Sequence, residues 1–149
     1  MISMEWLPGE QCGDIEIGAT GIAVDDSLRT AVLISLLTDR RADMADVLPD
    51  PRDGDRRGWV GDALAETDDD RIGSRLWLLR RAKHTEETRR RAEDYCAEAL
   101  QWLVDDGLAT AIAAAAEWLT RDLLACLISL TLPSGAVLPV SVRVVTGVA

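Results

Sequence analysis

The stretch from Thr85 to Gly107 constrains this chain most, because its type, its two ends and its buried face can all be read from residue identity. Ala92, Tyr95, Cys96, Ala99, Trp102 and Leu103 recur at three- and four-residue spacing, which sets them on one face of a helix. Thr85 offers its hydroxyl as N-cap, Glu86 and Glu87 place negative charge in the first turn, and Gly107 supplies a left-handed stop. At about 1.5 Å per residue the helix runs roughly 33 Å, so the other elements must pack on it. Its charges hold an anomaly. Arg89, Arg90 and Arg91 stand near the start and Asp105 and Asp106 at the end, the reverse of what the helix dipole favours. Two readings fit: a solvated face with internal pairs such as Arg90 with Asp94, or a docking surface.

A length of 149 residues with 48% hydrophobic composition suits a single domain over 1–149 with a real core. Charged residues interrupt every apolar run short of a membrane span, and no basic segment precedes an apolar one at the start. A soluble intracellular protein without membrane contact is therefore expected. Cys12, Cys96 and Cys126 are odd in number and widely spaced, and His84 is the only histidine, so neither a disulfide framework nor a zinc site is expected. A net charge of −10 excludes a general nucleic-acid binder. The arginines cluster all the same, at Arg40 and Arg41, Arg56 and Arg57, and Arg80 and Arg81, beside acids such as Asp39, Asp43, Asp55 and Asp62. Such mixed charge predicts ion-paired loops or contacts to another protein.

Taken in order, Asp14 to Gly18 and Gly21 to Asp25 alternate around a turn and predict a hairpin; Trp6 precedes it in a tail with Pro8 and Gly9. Asp26 is the expected cap of a helix from about Ser27 to Thr38, apolar on so many sides that it should lie between the long helix and a sheet. Residues 39–70 predict a long irregular loop, with Val47, Leu48, Trp59, Val60 and Leu64 as anchors to the body. Ile72 to Arg81 reads as a short helix with Trp77 in the core. After Gly107, Thr110 to Trp118 is alanine-rich; propensity favours helix, but its place before a clear hairpin favours strand, and strand is the reading adopted. Leu124 to Leu132 and Val140 to Val144 alternate across a Pro133-Ser134-Gly135 turn. The class is α+β, with an N-terminal hairpin, a buried helix, a long loop, short and long helices and C-terminal antiparallel strands, the helices packed on one face of a sheet.

No catalytic, cofactor or metal site emerges. Glu66 near Asp68, Asp69 and Asp70 offers carboxylates for glycoside hydrolysis, but in so acidic a chain such pairs are no evidence by themselves, and a solvated acidic loop is the reading adopted. Asp50, Asp53 and Asp55 fail the EF-hand spacing, and Gly58 to Gly61 lacks the Lys of a phosphate loop.

Four blocks carry more than periodicity: Thr30 to Ala42, Asp55 to Trp59, Ile72 to Leu79 and Ala99 to Gly107. In content and order they closely resemble the small baseplate wedge protein of Mu-like contractile-tailed bacteriophages, itself distantly similar to sheath-initiator wedge proteins sometimes labelled tail lysozymes. Val60 departs from the family pattern, which has a second Trp there. The resemblance implies an α+β fold and a structural, non-enzymatic role in a baseplate wedge, with a peptidoglycan-degrading tail lysozyme as the alternative. It also implies larger wedge proteins as partners, a sheath subunit joined by strand addition, and a location in the host cytoplasm during assembly and then in the virion tail. On this resemblance Arg40, Arg41, Arg56, Arg57, Trp59, Arg75, Arg80 and Arg81 are the expected partner-binding residues.

Overall fold

In the computed structural model of the chain, residues 4–7, 12–15, 17–18, 21–22, 28–66 and 71–147 are described. Strand β1 (Met4–Leu7) pairs antiparallel with β2 (Cys12–Ile15), and β3 (Ile17–Gly18) with β4 (Gly21–Ile22). There are thus two hairpins where one was expected. Asp14 and Ile15 pair back with Glu5 and Met4, which takes Trp6 into a strand opposite Gly13. Positions 23–25 of the expected hairpin lie outside the described residues.

Helix α1 (Arg29–Leu37) begins after Leu28, which makes no side-chain cap; Asp26, the expected cap, lies outside the described residues. Ala31, Val32, Leu33 and Leu36 are buried, and the helix packs on both α2 (Glu86–Asp105) and the C-terminal sheet, as its all-round apolarity predicts. Buried Ser35 returns its hydroxyl to Ala31 O at 2.9 Å, so this hydroxyl is not stranded.

Helix α2 keeps both predicted ends. The Thr88 N–H donates to Thr85 Oγ1 at 3.1 Å, and Gly107 takes φ 72°. Ala92, Tyr95, Cys96, Ala99 and Leu103 are buried, joined by Leu100. Trp102 departs from the expected core face: it is 39% exposed, at the margin of the stripe, with Nε1 donating to Ser35 Oγ at 3.1 Å. An indole with one polar edge settles where that edge finds an acceptor.

Strands β5 (Ala111–Thr120), β6 (Leu123–Thr131) and β7 (Val137–Val145) form an antiparallel sheet in that order. Leu124, Cys126, Ile128 and Leu130 on β6 and Val140, Val142 and Val144 on β7 point inward, as their alternation requires. The alanine-rich segment is indeed a strand, with Ala114 opposite Ile128 and Ala116 opposite Cys126. Small side chains there let α2 lie close to β5. Ala116 N–H donates to Glu93 Oε1 at 2.9 Å, and Arg89 Nη1 donates to Ala116 O at 3.2 Å. Cys96 and Cys126 meet in this layer as free, buried thiols; a hydrogen bond with Cys126, together with burial, pushes the Cys96 thiol far above its ordinary pKa.

The segment from Asp39 onward is irregular except for a 3-10 turn at Val60–Leu64. Its expected apolar anchors are mostly wrong. Leu48 packs on the core, but Val47, Trp59, Val60 and Leu64 are exposed, Val60 by 82% and Leu64 by 84%. Polar groups hold this loop instead. The expected short helix is a second 3-10 turn, Leu76–Arg81, with Trp77 buried in the core as predicted. Among the described residues no helix is long and apolar enough to cross a membrane.

Candidate interaction surface

The chain leaves α1 and returns beside it. Ser74 N–H donates to Thr38 O at 2.9 Å and Arg40 N–H to Ser74 O at 3.0 Å, a parallel bridge between Asp39 and Ser74. Gly73 makes this crossing possible: it holds φ 101°, and a Cβ there would stand 2.5 Å from Thr38 O. Trp77 locks the same corner, its Nε1 donating to Arg40 O at 2.8 Å.

Between these points the arginines turn inward on the loop. Arg57 pairs with Asp39 and stacks over Trp77, 4.6 Å from the ring centre. Arg56 donates to the carbonyls of Asp43 and Met44, and its own carbonyl accepts from Ala42 N–H at 2.9 Å. Arg41 Nη1 donates to Arg57 O at 3.2 Å, and Arg81 reaches Asp50 at 3.3 Å. Arg75 is the hub. It contacts Glu98 on α2 at 2.9 Å and Asp43 and Asp46 of the loop at 3.1 Å each, over the Tyr95 ring. Burial works against its charge, yet the hydrogen bonds to Glu98 and Asp46 outweigh that and raise its pKa above the ordinary value.

The eight expected partner-binding residues therefore divide. Arg56, Arg57, Arg75 and Arg81 have partners within the chain, and Arg41 is tied to the loop backbone. Arg40 and Arg80 form no ion pair among the described residues, and Trp59 is 52% exposed. The reversed charges at the start of α2 are also explained. Arg89 joins Glu86 and Glu93, and Arg90 reaches Glu86 at 3.5 Å rather than the expected Asp94. Sequence reading missed Met44, an exposed apolar side chain beside the arginines, because nothing in its spacing marks it. Glu66, the hydrolase candidate, is exposed, and Asp68 to Asp70 lie outside the described residues. Among the described residues no group of His, Cys, Asp and Glu is arranged to hold a metal.

Fold and surface together define an α+β chain whose marked feature is an ion-paired, arginine-rich loop fastened to the helices. A family model described as Phage protein GP46 matches residues 28–137, and the chain belongs to that family. It is 49% identical over 138 residues to "Baseplate protein gp46" of Escherichia phage Mu, covering 93% of this chain and 91% of that protein. It is 37% identical over 135 residues to "Mu-like prophage FluMu protein gp46" of Haemophilus influenzae, covering 91% and 89% respectively.

Proposed function

We propose that this chain is a structural subunit of a contractile-tail baseplate, where it joins larger wedge proteins and helps to start sheath assembly. The observation that carries the baseplate role is the near full-length likeness to the Mu baseplate protein. In this reading Trp59, Arg40, Arg41 and Arg80 meet the wedge partner directly, while Arg56, Arg57, Arg75 and Arg81 hold the loop in the shape that presents them. Co-expression with the large wedge protein of the same tail gene cluster, followed by size-exclusion chromatography with light scattering, tests the role. A joint peak is expected. Separate peaks, or clearing of a cell-wall suspension by the purified chain, would overturn it.

The sheath contact is strand addition at an edge of the C-terminal sheet. Of the two edge strands, β5 has the outward N–H and C=O of Ala116 already engaged by Glu93 and Arg89, which favours β7. Pro139 leaves the β6–β7 pairing intact, so its ring faces the open edge, and Ser141, two residues on, shares that orientation. Ser141→Pro should therefore fold and lose binding to the purified sheath subunit, whereas Ala114→Pro on β5 should keep it. The opposite result would move the contact to β5.

A further inference from the structure

A groove of about 1210 Å³ runs between α1, the turn from Trp59 to Ala65 and the C-terminal half of α2. It adjoins the arginine loop, and Arg40 and Trp59 belong to both. Trp59 and Trp102 both line it and both are held in place: the Trp59 ring lies over Gly61, where a Cβ would stand 2.0 Å from it, and Trp102 is tied to Ser35. Exposed Leu64 adds to the apolar lining.

The charge of the groove is net negative: Asp62, Glu98, Asp105 and Asp106 line it against Arg40 and Arg71. Glu98 is taken by Arg75 and Arg71 by Asp43, within the chain. Asp105 and Asp106 line it at the C-terminal end of α2, where the helix dipole is already negative and the last turn holds no basic residue. Neither acid forms an ion pair among the described residues. Asp62, also in the lining, accepts from Ile72 N–H at 3.2 Å through Oδ1, and its Oδ2 is buried with no hydrogen-bond partner among the described residues.

Resting on the baseplate reading, we infer that this groove is the seat of a second baseplate subunit, which inserts a segment with apolar side chains against Trp59 and Trp102 and a Lys or Arg toward the end of α2. Charge complementarity selects this occupant: a cation offsets the negative end of α2, where Asp105 and Asp106 have no ion pair among the described residues, and an acidic segment would be repelled there. The double variant Asp105→Asn, Asp106→Asn leaves the apolar core untouched. It should weaken the complex with the large wedge protein about tenfold and flatten its salt dependence.

A photo-crosslinking amino acid in place of Leu64, in the co-expressed complex, reads the occupant directly. A crosslink to a Lys- or Arg-bearing segment of the wedge protein is expected. A crosslink to residues 1–27 of this same chain, to an acidic segment, or to nothing while the joint complex still forms would overturn the inference and leave the baseplate role standing. Absence of any joint complex would remove both.

Discussion

Arg75 shows how much of this surface depends on single side chains. It sits at the N-cap of the 3-10 turn and reaches both the loop and α2, with carboxylates that are themselves partly buried. Removing it strands Asp46 and Glu98, so Arg75→Ala should cost about 1–2 kcal/mol after allowance for solvent screening, a fall in Tm of roughly 3–6 °C. Thermal unfolding checks this, and a Tm within one degree of the parent would show the hub to be ornamental to stability. Glu86 offers a pH-dependent counterpart. Its hydrogen bond from Arg89 lowers its pKa below the ordinary carboxylate value. A group depressed in the folded state stabilises above its unfolded pKa and loses that contribution as pH falls through the folded one. The Tm difference between the parent and Glu86→Gln should thus be present at neutral pH and vanish in acid; a difference independent of pH would mean that the charge plays no part.

Among the elements, β5 and the Gly73 crossing depend most on their surroundings. Alanine has the highest helix propensity, yet Ala111 to Ala116 form a strand because β6 offers a complete ladder and α2 needs a close, flat neighbour. Replacing Ala116 with Leu should therefore destabilise the protein by about 1–3 kcal/mol, as overpacking does, despite a strand propensity no worse than that of Ala. Chemical denaturation would measure it, and an unchanged midpoint would show the layer to be loosely packed. Gly73→Ala meets Thr38 O at 2.5 Å with φ held at 101°. That variant should open the Asp39–Ser74 bridge and speed hydrogen exchange at the Arg40 and Ser74 amides before elsewhere; uniform exchange would place the strain outside the bridge.

At the scale of the whole molecule, a helix pair lies on one face of a three-stranded sheet, and a charged loop is fastened to its side. Trp59→Ala with Arg80→Glu touches neither the core nor the loop's ion pairs, so it should abolish co-elution with the wedge protein at unchanged Tm; full co-elution would move the contact elsewhere. The length, caps and inner face of α2, the alternation of β6 and β7 and the buried character of α1 and Trp77 were legible in the sequence, because each rests on local spacing or on one residue's backbone preference. The four blocks that carry the family likeness were legible for the same reason. What only the tertiary structure decided is where the charges go. Sequence spacing cannot tell Glu86 from Asp94 as a partner for Arg90, since both stand four residues away, nor bring Arg75 to Asp46 and Glu98, since those contacts join segments far apart in the chain. The exposure of Val60 and Leu64 was likewise hidden, because an apolar side chain is drawn inward only where the fold has room for it, and in this loop ion pairs took the anchoring role.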